Sequence, residues 1–146
     1  MRALVQRVSQ ASVSVDKIQI SGISSGLLIL ICAMQGDTSE TAKKIAKKAA
    51  NLRIFPDQDG RMNLSLLDTG GSALIVSQFT LAADTSRGNR PGFSQSAQGP
   101  FAEELYEDFK EACSELGVPI QAGVFGANMQ VELINDGPTT IWLDQN

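Results

Sequence analysis

The chain has 146 residues, 42% hydrophobic and 19% charged, a composition typical of one globular domain, residues 1–146, that folds without disulfide bonds. It contains no histidine and only two cysteines, which excludes histidine-activated nucleophiles and leaves a poor set of zinc ligands. Its net charge of -4 argues against a protein that grips long stretches of nucleic acid, so any RNA contact is expected to be local.

The N-terminal segment MRALVQRVSQ lacks the long apolar core of a secretory signal. The longest apolar run, Leu27 to Met34, has the length of a strand rather than of a membrane span. Cys32 lies inside that run and Cys113 on a helical stretch, so both are expected to be small buried hydrophobes. We therefore expect a cytoplasmic protein without a membrane partner.

The N-terminal third predicts β-structure. Residues 11–15 alternate between apolar and polar, which is the pattern of a half-buried strand. Ile18 and Ile20 continue the alternation after a turn at Asp16-Lys17. The continuous apolar run from Leu27 to Cys32 predicts a central strand that is buried on both faces.

A first helix is predicted to begin at Asp37, an N-cap residue with Glu40 at the spacing of a capping box. Apolar residues recur at helical spacing on one side of it: Ala42, Ile45, Ala46 and Ala49. The other side carries four lysines: Lys43, Lys44, Lys47 and Lys48. That side is either a solvated face or a local contact for phosphates.

The middle of the chain predicts a turn and then a strand. Pro56 to Gly60 combines proline, aspartate and glycine between apolar segments, which indicates a tight turn. Asp57 and Asp59 do not make it a calcium loop, because the remaining ligands and the closing glutamate are missing. Ala73 to Val76 is a short buried strand that runs into the polar segment Ser77-Gln78-Phe79-Thr80.

A polar loop from Ala83 to Gly99 contains Arg87-Gly88-Asn89-Arg90-Pro91 and leads into a second helix. That helix is predicted to begin at Pro100 and to end at Gly117. Its apolar stripe comprises Phe101, Leu105, Phe109, Ala112 and Leu116. If RNA meets either helix, it should meet the first, because the outer face of the second is acidic and would repel a polyanion. This acidic face comprises Glu103, Glu104, Glu107, Asp108 and Glu111.

Two strands are predicted at the end of the chain, Met129 to Ile134 and Thr140 to Leu143, separated by the turn residues Asn135 to Thr139. Strands and helices thus occur in mixed order, without a linker or an internal repeat. This order predicts an α+β domain with two main helices and a largely antiparallel sheet.

The segment Ser77-Gln78-Phe79-Thr80 places two hydroxyls, an amide and free backbone N–H groups where a buried strand emerges, a common position for sites. By itself it also fits an ordinary polar strand end. Thr80 has no histidine to activate it, which shifts the plausible chemistry toward an oxyanion hole built from N–H donors.

Gly137-Pro138 is the second unusual segment. Bonds that precede proline are the ones in which the cis form costs little, about 0.5–1 kcal/mol. Glycine before the proline leaves open space above the peptide, so the pair could line a pocket closely. Alone, it also fits an ordinary turn.

Together these segments resemble the D-aminoacyl-tRNA deacylase (DTD) family over essentially the whole chain. The segments that carry the resemblance occur in the family's order: Met1 to Val8, Asn51 to Phe55, Gly60 to Asn63, Ser77 to Leu81, Gly123 to Ala127, and Asn135 to Pro138 with Thr140. The resemblance implies a barrel-like sheet, and a homodimer that acts without a metal or another cofactor.

The resemblance also implies a role for each segment. Residues Ser77, Gln78, Phe79 and Thr80 would bind the terminal adenosine and the aminoacyl ester of tRNA. Gly137-Pro138 would be a cis pair that enters the partner subunit's site, rejects L side chains and captures the amino group. Arg7 would brace that pair, and the adenosine pocket would include Phe125, Ala127 and Met129. The substrates would be D-aminoacyl-tRNA and glycine misattached to tRNA, and DNA would not be a partner.

The chain departs mildly from the family pattern. Arg87 stands where lysine is usual, Thr139 stands where valine is common, and Gly22 to Gly26 is rich in serine. None of these departures touches the core motifs. Two alternatives from other classes remain, a non-catalytic oligomer that binds a small molecule and a module that binds RNA ends without turnover.

Overall fold

A computed structural model describes every residue from Met1 to Asn146. The strands are β1 Arg2–Val15, β2 Ile18–Ile23, β3 Gly26–Cys32, β4 Phe55–Pro56, β5 Met62–Leu64, β6 Ser72–Ser77, β7 Ile120–Ala122 and β8 Gln130–Asp144. The helices are α1 Ser39–Asn51, α2 Leu66–Thr69 and α3 Gly99–Glu115, with a 3-10 turn at Phe79–Ala82.

The long strand β1 organises the main sheet. It pairs antiparallel with β2, β3 and β8, and the strand order is β2-β1-β3-β6-β7 with β8 added beside β1. Only the pairs β3–β6 and β6–β7 are parallel. The sheet curls into a nearly closed barrel, which confirms the predicted α+β domain with a largely antiparallel, barrel-like sheet.

The main core lies between the sheet and the helices α1 and α3. Leu27, Ile29 and Ile75 from the sheet are buried in one cluster with Ile45 and Phe109 from the helices. β3 is buried almost throughout, as its unbroken apolar sequence predicts. By contrast, Ile18 and Ile20 are 68% and 42% exposed, because β2 lies at the edge of the sheet.

The start of α1 differs from the prediction. Its N-cap is Thr38, which forms a capping box with Thr41, so neither Asp37 nor Glu40 has the predicted capping role. Asp37 is only 6% exposed, and its carboxylate accepts hydrogen bonds from the Met1 ammonium and the Met34 backbone N–H, both at 2.6 Å. A long-range ion pair has therefore replaced a local cap.

The C-terminal half also refines the predictions. α3 begins one residue before Pro100, and Phe101 is 47% exposed rather than part of the buried stripe, which instead includes Tyr106 and Cys113. The two predicted C-terminal strands are a single strand, β8, interrupted by a bulge where Asn135 and Thr140 pair with Val8 and Gln6. None of the helices is both long enough and apolar enough to cross a membrane.

Candidate active site

A cavity of about 570 Å³ opens where the parallel strands β3 and β6 end. The loops before α3 and before β8 complete its walls. Of its 21 lining residues 14 are hydrophobic, and none has a charged side chain. Such a cavity suits an uncharged, flat ligand of moderate size that is fixed by a few polar groups.

The segment Ser77 to Thr80 forms one rim of this cavity. The Gln78 N–H donates to the Ile31 carbonyl at 2.8 Å, which extends the parallel pairing one residue past Ser77. The chain then bends into the 3-10 turn, and the backbone N–H groups of Phe79 and Thr80 have no acceptor among the turn and loop hydrogen bonds. Free N–H groups at the start of such a turn are ready donors for an anion.

The hydroxyl of Thr80 has a defined partner. It accepts a hydrogen bond from the side-chain amide of Gln78 at 2.5 Å, so its own proton remains available to donate. Ser77, Gln78 and Phe79 line the cavity, whereas Thr80 lies on the exposed side of the turn. No histidine exists in the chain to act as a base for this hydroxyl.

Aromatic rings flank the cavity. Phe79 is 57% exposed and packs edge-on against Phe93 with the ring centroids 5.0 Å apart. Phe125 packs against Tyr106 at 5.7 Å, and the Tyr106 hydroxyl donates to the Ile75 carbonyl at 3.0 Å. Burial raises the pKa of Tyr106, so its hydroxyl stays protonated and anchors α3 to β6.

Among the lining residues that the sequence did not predict, three have side chains able to form hydrogen bonds within the wall, namely Cys32, Ser96 and Tyr106. The sulfur of Cys32 lies 3.6 Å from the Phe79 carbonyl, beneath the turn. Burial raises the pKa of this thiol, which therefore stays protonated and is a poor nucleophile. The only signal in the sequence was its place at the end of a buried strand, which does not distinguish a pocket from a core.

Gly137 and Pro138 lie in the bulge of β8 and are both exposed, and the peptide bond between them is cis. Arg7 donates from Nε to the Asp136 carbonyl at 3.0 Å and from Nη1 to the Ile54 carbonyl at 2.5 Å. A Cβ on Gly137 would lie 3.0 Å from Arg7 Nη2. Arg7 thus packs directly against the bulge and ties it to the segment after α1.

The bulge is remote from the cavity of its own chain. Along β3, Leu27 pairs with Arg7 beside the bulge, whereas Cys32 lies at the cavity end, five residues further on. At about 3.3 Å per residue this separation is roughly 16 Å. The cavity includes the predicted site residues Ser77, Gln78, Phe79, Phe125, Ala127 and Met129. It does not include Arg7, Gly137 or Pro138.

The chain is similar to known proteins over nearly its whole length. The model of a family described as D-Tyr-tRNA(Tyr) deacylase matches residues 4–144. A protein of Dinoroseobacter shibae named D-aminoacyl-tRNA deacylase is 59% identical over 144 residues, which cover 99% of each chain. A protein of the same name from Thermomicrobium roseum is 55% identical over 99% of this chain and 94% of its own.

Two solved structures share the fold. One is described as the c-Myc DNA Unwinding Element Binding Protein, with 39% identity, a TM-score of 0.92, and coverage of 99% of this chain and 98% of its own. The other is described as a probable eukaryotic D-amino acid tRNA deacylase, with a TM-score of 0.80 over 97% of each chain. At 18% identity, the second likeness supports the fold alone.

Proposed function

Since the chain belongs to the D-Tyr-tRNA(Tyr) deacylase family, we propose that it hydrolyses the ester bond of D-aminoacyl-tRNA. The observation that carries this proposal is the uncharged cavity beside the 3-10 turn, at whose start the N–H groups of Phe79 and Thr80 have no acceptor among the turn and loop hydrogen bonds. An aminoacylated nucleoside fits such a cavity, because its base needs apolar walls and the carbonyl of its ester needs donors. The enzyme is therefore a hydrolase that acts on a carboxylic ester.

The hydrolysis needs little from side chains. Water attacks the ester carbonyl carbon and the carbonyl oxygen becomes an oxyanion. The bond from this carbon to the ribose oxygen then breaks, and the ribose oxygen takes up the proton that the attacking water loses. The N–H groups of Phe79 and Thr80 stabilise the oxyanion, and each such donor is worth about 2.7–4 kcal/mol in other hydrolases. The neighbouring ribose hydroxyl, which can both donate and accept, positions the water. The products are free amino acid and tRNA.

The Gly137-Pro138 bulge would complete the site from a second copy of the chain. The bulge is exposed and lies roughly 16 Å from the cavity of its own chain by strand spacing, so it can reach a cavity only in a partner subunit. We therefore infer a homodimer in which each subunit inserts its bulge into the other. Sedimentation or X-ray scattering of active protein tests this, and an active monomer would contradict it.

This insertion would also account for chirality. D- and L-amino acids differ in where the side chain points once the amino group and carbonyl are held. The backbone of Gly137-Pro138, held by Arg7 against the Asp136 and Ile54 carbonyls, would form a wall with which an L side chain collides. Glycine has no side chain to collide, so glycyl-tRNA should also be a substrate.

One experiment separates this proposal from its alternatives. D-tyrosyl-, L-tyrosyl- and glycyl-tRNA are incubated with the protein, and the loss of the ester is followed over time. Turnover of the D-tyrosyl and glycyl esters with sparing of the L-tyrosyl ester supports the proposal. Protection of all three esters would instead select an RNA-end-binding module. No effect on any ester would favour a non-catalytic oligomer that binds a small molecule.

A further inference from the structure

A short closed loop stands beside the rim of the cavity. Asp84 and Gly92 exchange two backbone hydrogen bonds, of 2.8 and 2.9 Å, which close the loop at its base. Asp84 also accepts a hydrogen bond from the Ser86 N–H at 2.9 Å, and the hydrogen bonds from Ser86 lower the pKa of its carboxyl. Gly92 directly precedes Phe93, which lines the cavity. The loop is therefore held in place at the mouth of the site.

The loop carries two free cations. Arg87 and Arg90 are both exposed, and none of the four ion pairs of the chain includes either of them. Asp84 is the only acidic residue between Ala83 and Ala102. This stretch thus has an excess of positive charge in a chain whose net charge is -4.

The loop is close enough to the cavity for its arginines to contact the phosphates of an RNA whose last nucleoside is bound there. The cavity has no charged side chain, so when it holds the terminal nucleoside of an RNA, the phosphates of the RNA chain must remain outside. Half of the segment from Thr85 to Pro91 spans at most about 12 Å, which keeps both arginines within a short distance of the rim. The exposed ring of Phe79 lines the cavity and packs against Phe93, which directly follows the loop, so it offers a surface on which a neighbouring base can stack.

We propose that Arg87 and Arg90 bind phosphates of the single-stranded 3′ end of tRNA just outside the cavity. This inference rests on the proposed function, because it takes the terminal adenosine as the ligand of the cavity. Guanidinium groups suit phosphate oxygens through charge-assisted, forked hydrogen bonds. A local contact of this kind also explains how an acidic protein can hold RNA without a broad basic surface.

The test compares three substrates that differ in their phosphates: D-tyrosyl-adenosine, the D-tyrosyl ester of the trinucleotide CCA, and D-tyrosyl-tRNA. The double variant Arg87→Ala with Arg90→Ala should leave the adenosine ester unaffected. With the trinucleotide ester it should raise KM about tenfold at unchanged kcat. Replacing both arginines by lysine should restore most of the affinity, since the charge is kept.

The matched control is Lys43→Ala with Lys47→Ala, which removes the same charge from the exposed face of α1. With the trinucleotide ester, this control should behave as the wild type. Binding of the CCA trinucleotide without an amino acid gives a readout that does not need activity. It is followed by fluorescence anisotropy at several salt concentrations. Loss of two phosphate contacts should make the slope of log affinity against log salt shallower by about 1.4.

The outcomes separate this inference from the proposed function. Wild-type affinity for CCA in the double alanine variant would overturn the role of the loop, as would an equal loss with the adenosine ester. A wild-type protein that hydrolyses none of the three esters would instead overturn the proposed function. In that case, the anisotropy measurement would still decide whether Arg87 and Arg90 bind RNA phosphates.

Discussion

Replacing Gly137 with alanine tests the bulge that the proposed mechanism places in the partner's site. Gly137 has φ +137°, a conformation that L residues rarely adopt, and its new Cβ would lie 2.6 Å from Thr139 Oγ1 and 3.0 Å from Arg7 Nη2. The backbone strain costs about 1–3 kcal/mol and the overlap a further 1–3 kcal/mol or so. In the Gly137→Ala variant, keeping the native conformation of the bulge therefore costs roughly 2–6 kcal/mol.

The bulge is exposed and has room to relax, so the domain should stay folded while the native loop conformation becomes rare. Because the proposed reaction needs that conformation, the cost of roughly 2–6 kcal/mol should lower kcat/KM for D-tyrosyl-tRNA by about 30-fold at the lower end of this range and by more than about 1,000-fold at the upper end. The ratio of D-tyrosyl to L-tyrosyl hydrolysis should fall with it. Single-turnover rates with both esters measure these two effects.

Gly60→Ala is the matched control. Gly60 also has a positive φ of +76°, but a Cβ there would meet nothing within 4 Å. It should lose about 1–2 kcal/mol of unfolding free energy to backbone strain, with full activity and chiral selectivity. If Gly137→Ala also kept wild-type activity and selectivity, the bulge would have no part in the reaction.

Three further predictions concern single groups. Thr80→Ala should slow single-turnover hydrolysis only about two- to tenfold, whereas a substrate ending in 2′-deoxyadenosine should lose much more; an acyl-enzyme trapped on Thr80 would contradict this. Thr139→Val should raise the unfolding free energy in urea by about 1 kcal/mol, because the buried Thr139 hydroxyl has no hydrogen-bond partner, and a decrease would reveal one. Burial raises the pKa of the Cys113 thiol from 9.0 to about 12. Its contribution to stability is therefore present below about pH 9 and is lost as the pH rises toward about 12. Cys113→Ala should flatten this decline in denaturation curves, and an unchanged pH dependence would assign it to other groups.

Local pattern was sufficient for much of the fold. The alternation of residues 11–15 identified part of β1, and the apolar run from Leu27 to Cys32 identified β3 as a central strand. The turn at Pro56 to Gly60 is also present, with the Asp57 carboxylate accepting the Asp59 N–H at 2.9 Å. These features depend on neighbouring residues along the chain, whose periodicity and turn chemistry are visible in the sequence itself.

The sequence did not predict features that depend on which of several equally suitable groups come together in the fold. Asp37 and Thr38 are both good N-cap residues, and the sequence could not show that the Met1 ammonium would take the Asp37 carboxylate. Tyr106 could equally have been an exposed helix residue. Only the approach of α3 to β6 gave its hydroxyl the Ile75 carbonyl and its ring a place in the cavity wall.

The sequence alone determined the family resemblance and which short motifs carry chemistry, since both depend only on residue identity and order. The tertiary structure decided how those motifs are distributed in space. It brought residues 77–79 together with Phe125 and Met129 in one cavity, and it held Gly137-Pro138 in the bulge of β8, beside Arg7 and outside that cavity. The physical reason is strand register, because hydrogen bonding between strands brings together residues that are distant in sequence and sets neighbouring motifs apart by whole strand lengths.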